Sequence, residues 1–328
     1  MNYLVTGATG FVGPHLLKRL AASGHHCRCL VRNPSKIIDP ETKGHEWVSG
    51  DITEPQTLVG IADGVDCLLH LATLGHLSNF AASEAEFEKV NIRGTANIMH
   101  EALRAGVKKI VHCSSVAAMG ICHDMPATEE SRCEPHHAYG RSKLKAEQEV
   151  LRMVAENNLP AVIIRFSMIY GPGDWRDIFK LTRMAQKGLF PKIGNRTKLT
   201  PLIHVQDAIE GLLLAAEKGK IGKIYLITNR QSEPFDNIRK IIQETLGVHR
   251  IPLYVPEWAA LSIAAIVEKT FSILGKTPPV ARKNIESTLA DRIFSIEKAQ
   301  KELGFNPKID PENGLRETVE WYKEKGWV

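Results

Sequence analysis

The chain lacks any apolar run of membrane-spanning length. The longest, WAALSIAAIV at 258–267, is closed by Glu268 and Lys269. It reads as a buried helix, with contact to a membrane surface or an apolar substrate as the alternative. A large excess of one charge is missing too. Its 42 basic and 37 acidic residues leave a net charge of +5, and the basic residues are scattered, which gives little support to nucleic-acid binding. The six cysteines, Cys27, Cys29, Cys67, Cys113, Cys122 and Cys133, form no CxxC and no ligand spacing with histidine. Free thiols in a reducing cytosol are therefore expected, and no metal site. A strand candidate at residue 2 leaves no room for a leader, so a cytoplasmic protein is expected. There is no internal repeat and no low-complexity segment.

What remains is ordinary globular composition, 43% hydrophobic and 24% charged over 328 residues, enough for one or two domains. Short apolar runs at 2–6, 27–31, 66–71, 109–113 and 161–165 read as strands. Helical patterns fall between them at 13–23, 55–61, 84–105 and 138–157. Strands alternating with helices imply a parallel sheet covered on both faces. Past residue 170, glycine and proline punctuate often and the alternation breaks. A strand returns at 223–228, and helices follow at 235–246, 257–273, 295–303 and 311–324. The expected fold is α/β: a doubly wound parallel-sheet Rossmann domain over 1–165, with returns near 200–228. A smaller, mostly helical substrate domain is expected over 166–328, interleaved with the first.

Gly7, Gly10 and Gly13 lie where the first strand meets the first helix. A strand, a tight glycine turn and a helix N-terminus make an anion site, because the helix offers unpaired N–H groups and the positive end of its dipole. Glycine suits a turn at positive φ, close approach of a pyrophosphate, and tight helix–strand packing. The spacing here is GxxGxxG, unlike the GxGxxG of the dehydrogenase fingerprint. Farther on, Tyr139 and Lys143 are four apart on a helix and share a face. An ammonium near a phenol favours the phenolate, so Lys143 is expected to lower the Tyr139 pKa and fit it for proton transfer near neutral pH.

Several segments together resemble the extended branch of the short-chain dehydrogenase/reductase superfamily, also called the NAD-dependent epimerase/dehydratase family. TGATGFVG (6–13) is similar to its TGxxGxxG signature, YGRSK (139–143) to its YxxxK motif, and CSSVAAMG (113–120) to its serine strand. GDIT (50–53), HLAT (70–73), VNIRGT (90–95), IIRFSMIYGPGD (163–174) and LIHVQDA (202–208) follow in family order, as does the tail at 298–322. The resemblance covers essentially the whole chain. It implies catalytic roles for Ser115, Tyr139 and Lys143, with Ser115 preferred to Ser114 because it lies five residues before Gly120. It implies cofactor contacts at Gly7, Thr9, Gly10, Phe11, Val12, Gly13, Asp51, Ile52, Leu71, Ala72, Thr73, Asn91, Tyr139 and Lys143. It also implies a homodimer.

The second strand ends in Arg32, with Lys36 near and no acid until Asp39. This favours NADP(H) over NAD(H), since arginine suits the 2′-phosphate and an acid suits the free 2′-hydroxyl. The alternative is that Arg32 stacks on the adenine and serves both cofactors. Family dehydratases carry Asp-Glu after the catalytic threonine; Val116 and Ala117 stand there and cannot do acid–base work. Sugar-nucleotide enzymes usually have asparagine and arginine where Met168 and Thr200 stand, although Arg196 and Lys198 are close. A thioether in place of an amide suits a less anionic, more apolar substrate. The resemblance is nearest the 3β-hydroxysteroid dehydrogenase and dihydroflavonol reductase types. His76, Met119 and Met168 are the candidate substrate contacts; His70, His112 and His204 read as packed or capped. The expected activity is oxidoreduction of a ketone or secondary alcohol on a fairly apolar small molecule. A sugar-nucleotide epimerase using the same triad is the alternative, and a non-catalytic nucleotide sensor the third reading.

Overall fold

Tyr3, Leu4 and Val5 are buried in β1 (Asn2–Thr6), the centre of a parallel sheet. A computed structural model describes residues 1–34, 44–75, 82–190, 192–194, 198–248, 254–273 and 290–328. Beside β1 lie β2 (His26–Val31) and β3 (Glu46–Ser49) on one side. On the other lie β4 (Cys67–His70), β5 (Lys109–Ser115), β6 (Ala161–Phe166) and β9 (Ile224–Ile227). Each of these strand pairs is parallel. Strands buried on both faces need continuous apolar runs, which is why the strands other than β3 read as such.

Helices cover both faces. α1 (Val12–Ala22) presents Leu16, Leu17 and Leu20 to one face, joined there by α6 (Val205–Lys218) and α9 (Glu297–Leu303). The other face is covered by α3 (Gly94–Arg104) and α4 (Ala138–Asn157), with Ile98, Met99, Val150 and Met153 in the shared core. A separate apolar cluster forms from α5 (Asp177–Gln186), α7 (Phe235–Leu246) and α10 (Pro311–Glu324) around Tyr170, Leu315 and Tyr322. Short strands β7 (Met168–Tyr170) and β8 (Leu202–His204) pair beside it.

Four features depart from the sequence reading. β3, α5 and α6 were not among its elements. The helix expected at 55–61 is a single 3₁₀ turn, Pro55–Thr57. Gly60 at φ +83° ends helical continuation there, and Leu58, Ile61 and Ala62 are buried through turns instead. The pattern at 84–105 is helical but carries a π-type segment at Glu88–Arg93 between α2 (Glu84–Phe87) and α3. The run at 258–267 does form a helix, α8 (Glu257–Ile273), but not a buried one. It is apolar all round; only Ala260 and Ala264 are buried, and Trp258, Ile263 and Ile266 are exposed.

Candidate active site

The strand order reverses at β1 and β4, which neighbour each other while their following elements pack on opposite faces. Such a switch point opens a crevice at the carboxyl ends of the strands. Here the Leu71 N–H donates to the Thr6 carbonyl (3.2 Å) and the Ala72 N–H to Thr6 Oγ1 (3.1 Å). Gly7 turns at φ +74°, and a Cβ on it would lie 2.7 Å from the Ala72 nitrogen. A Cβ on Gly13 would lie 2.1 Å from the Ala8 carbonyl oxygen, so α1 can start this close to the loop only with glycine. Thr9 and Gly10 are exposed, Phe11 is buried, and Val12 opens the helix. The α1 N-terminus has no side-chain cap and no acid in its first turn. Exposed bare backbone before an uncapped helix N-terminus fits a dinucleotide pyrophosphate.

The rest of the crevice follows the sheet edge. Arg32 is exposed just beyond β2, next to Gly50, whose N–H donates to the Val31 carbonyl. Asp51 follows β3, and its Oδ1 accepts from the Thr53 N–H (2.8 Å). Ile52 is buried against Gly94, and its carbonyl accepts from Asn97 Nδ2 (2.8 Å). Asn91 does not point out of this wall. Its Oδ1 accepts from the Leu74 N–H (2.7 Å) and the Thr73 hydroxyl (3.0 Å), and its Nδ2 donates to the Leu74 carbonyl and Ser142 Oγ. The π-type segment brings this amide between the β4 end and α4, so its contacts are ties within the chain.

Tyr139 lies in the first turn of α4, and Lys143 one turn later. The Tyr139 phenol is hydrogen-bonded to Ser115, whose Oγ also accepts from the Ala117 N–H (3.1 Å). The His137 ring stacks beside Tyr139 at 6.3 Å, and Phe87 lies at 6.2 Å. Lys143 is buried and donates to the Cys113 carbonyl (2.7 Å). Burial pushes its pKa down to about 8, against the opposing pull of Cys113 and Glu147. The expected lowering of the Tyr139 pKa by Lys143 is not what the structure shows. Burial raises the phenol, and the Ser115 hydrogen bond and the Arg176 charge partly offset it. The Lys143 ammonium is drawn to the end of β5 instead.

Behind this pair is a buried ion pair. Glu147 accepts from Arg165, Nη2 to Oε2 at 2.7 Å and Nε to both Oε1 at 3.0 Å and Oε2 at 3.2 Å, and the Ser114 hydroxyl donates to its Oε1. His70 and His112 stack at 5.4 Å inside the sheet, and His204 caps α6 by accepting from the Gln206 N–H, as the sequence anticipated. Met119 is fully buried with Val116, Ala127, Leu226 and Phe294, so it is a core residue and not a surface of the site. Met168 is partly buried in β7. His76 lies outside the described residues. A cavity of about 270 Å³ opens past Gly120, between Ile121, Cys122 and Met125 and the polar Lys198 and Asp291. Lys198 Nζ is 3.5 Å from Glu257 at the start of α8.

The model for the NAD dependent epimerase/dehydratase family matches residues 3–228. The chain belongs to this family. Family membership makes it an enzyme that uses a nicotinamide dinucleotide, and several of its relatives carry reductase names, in line with the branch the sequence resembles. A Synechocystis protein provisionally named dihydroflavonol 4-reductase is 30% identical, over 99% of this chain and 96% of its own. A Stigmatella aurantiaca protein, 4-hydroxy-2-methyl-3-oxo-4-farnesyl-3,4-dihydroquinoline-1-oxide ketoreductase, is 28% identical over 96% and 95%. Among solved structures, gox2253 is similar with a TM-score of 0.85 and 33% identity, covering 99% of this chain and 98% of that one. Among the described residues, no helix is long and apolar enough to cross a membrane.

Sequence reasoning missed three charged residues that the fold gathers near the Tyr139–Lys143 pair. Glu147 stands four after Lys143, a spacing that could have drawn attention to it. Arg176 and Asp177 follow GPGDW in a stretch without periodicity, and only the folded chain brings their charges to Tyr139.

Proposed function

We propose that this enzyme interconverts a ketone and a secondary alcohol on a fairly apolar small molecule, with NADP(H) preferred. The observation that carries the reading is the Ser115–Tyr139 hydrogen bond at the carboxyl end of the sheet, beside the glycine crevice. Tyr139 transfers the proton to or from the substrate oxygen, and Ser115 holds that oxygen against the phenol. Lys143, anchored on Cys113, keeps a cation beneath the site and is placed to hold the nicotinamide ribose. Gly7, Thr9, Gly10, Phe11, Val12 and Gly13 bind the pyrophosphate, Leu71, Ala72 and Thr73 flank the cofactor, and Asp51 and Ile52 hold the adenine end. Arg32 takes the 2′-phosphate. Bound nicotinamide supplies or accepts the hydride. Met168 and the apolar wall of the cavity suit a substrate of low charge, as do the ketone-reducing names of the relatives.

Tyr139→Phe tests the reading. Turnover of apolar ketones is expected to fall by about two to four orders of magnitude, as for loss of a general acid, while NADPH still binds. Near-normal turnover overturns it. A sugar-nucleotide epimerase is the second reading, favoured by the Lys198 ammonium in the cavity wall. Release of stoichiometric NAD from the denatured protein would support that reading, whereas an empty protein binding NADPH more tightly than NADH supports the first.

A further inference from the structure

We propose that Arg176 is a cofactor-binding residue: the strap 171–177 lays its guanidinium beside the glycine turn, where it meets the dinucleotide pyrophosphate together with the N-terminus of α1. The proposal rests on the glycine turn holding the pyrophosphate, and not on which carbonyl compound is reduced.

The strap crosses the first turns of α1 and is tied on either side of the crossing. His15 Nε2, on α1, lies 2.8 Å from the Pro172 carbonyl oxygen, and the Tyr322 hydroxyl, on α10, donates to the Asp174 carbonyl. A Cβ on Gly173 would lie 3.8 Å from His15 Nε2, so the chain passes close over that part of the helix. Within the strap, the Asp174 N–H donates to the Gly171 carbonyl, and Asp174 Oδ1 accepts both the Arg176 N–H (3.1 Å) and its Nε (2.9 Å). Nη2 of Arg176 donates to the Ile169 carbonyl (3.0 Å). Nη1 makes no hydrogen bond among the described residues. These bonds set the guanidinium over the Phe11 ring, 4.8 Å from its centroid. Phe11 is the residue just before α1, and the His15 ring meets it edge-on at 5.7 Å. A planar, delocalised cation suits such a stacked position.

This placement is unfavourable until an anion arrives. A helix N-terminus carries the positive end of the dipole, and a cation beside it is repelled. α1 has neither an acid in its first turn nor a side-chain cap to offset the two. Asp174 offsets the guanidinium from the strap side only: its side chain is fully buried, whereas that of Arg176 is 30% exposed. No side chain from Gly7 to Gly13 is charged, so the turn by itself offers only backbone dipoles. Each phosphate of a dinucleotide carries a negative charge. Arg176 supplies the matching charge and a charge-assisted bond, which is shorter and stronger than one from a neutral N–H. The two arginines thus divide the cofactor, Arg32 at the adenosine end beyond β2 and Arg176 at the pyrophosphate.

Binding to the empty protein tests this, with NADPH, with ADP-ribose, which keeps the pyrophosphate, and with 2′-AMP, which lacks it. Arg176→Gln is expected to weaken NADPH and ADP-ribose by about tenfold or more, the loss of one bond to a charged group. Affinity for 2′-AMP is expected to stay at the parent value. The salt dependence of ADP-ribose binding is expected to flatten, because a charge facing the ligand is gone. Unchanged ADP-ribose affinity overturns the proposal. Weaker affinity with the parental salt dependence also overturns it, leaving Arg176 a staple for the strap. Arg176→Lys keeps the charge without the planar fork, and it covers the case in which Arg176→Gln folds poorly. It is expected to keep the parental salt dependence, and a flattened one overturns the proposal. Parental ADP-ribose affinity in Gly7→Ala would instead sink the reading of the glycine turn, and the proposal with it.

Discussion

Ser114 and Ser115 are neighbours on β5 and serve different partners: the Ser114 hydroxyl donates to the buried Glu147, and the Ser115 hydroxyl bonds the Tyr139 phenol. Alternation along a strand sends successive side chains to opposite faces, so one hydroxyl belongs to the interior and the other to the crevice. Ser115→Ala is expected to lower kcat by about tenfold or more, with folding stability nearly unchanged, because the phenol loses one neutral hydrogen bond. Ser114→Ala should do the reverse, costing about 1–3 kcal/mol of stability because the buried Glu147 carboxylate loses one of its donors. Steady-state kinetics and urea unfolding on both variants check the pair. A stability loss confined to Ser115→Ala would contradict the assignment.

Glu147 and Arg165 are nearly inaccessible, with side chains 1% and 3% exposed. Removing one partner leaves an uncompensated buried charge. Glu147→Ala is therefore expected to cost about 3–5 kcal/mol. The exposed pair Arg152–Glu156 on the same helix provides the contrast. Glu156→Ala should cost less than about 1 kcal/mol. Denaturant midpoints with unchanged slopes would measure both.

Lys143 is held with a pKa of about 8, below its ordinary 10.5. The unfolded chain therefore binds more protons than the folded one between these values, and stability rises with pH across that window. Below about pH 8 both states carry the charge, and its burial costs on the order of 3 kcal/mol; above about pH 10.5 neither does. Relative to Lys143→Met, the parent enzyme is expected to gain stability by roughly this amount between pH 7.5 and 10.5. Urea unfolding at the two pH values tests the sign, and a gap that widens against the parent would refute it.

Gly7 and Gly24 have nearly the same left-handed backbone, φ +74° and +72°, but nothing lies within 4 Å of a Cβ on Gly24. Alanine at Gly24 should cost only the backbone term, about 1–2 kcal/mol. Alanine at Gly7 should cost more, by the contact with Ala72, and should abolish NADPH binding. Calorimetric unfolding and a fluorescence titration of NADPH separate the two effects. Equal stability losses would show that the β1 and β4 loops can part without strain.

The sheet was legible because its strands are short, apolar and separated by amphipathic helices. Leu16, Leu17 and Leu20 could only face a core, and Tyr3 to Val5 could only lie within one. β3 is not legible because EWVS is short and half-polar with no buried residue, and it is a strand only through its pairing with β2. The helix α8 was misjudged in its burial because an all-apolar pattern does not say which side meets the protein. Met119, a candidate substrate contact in the sequence, lies in the core because it packs with Phe294, far along the chain.

Sequence by itself determined the glycine turn, the Tyr139–Lys143 pair and the alternation that makes a parallel sheet, since each depends on residues near one another and on local geometry. Tertiary structure decided the electrostatics. Lys143 is drawn to Cys113, Ser114 and Arg165 to Glu147, and Ser115 to Tyr139. These are distances between segments far apart along the chain. Burial and the close approach of charges, which set the pKa values, exist only once the chain has folded.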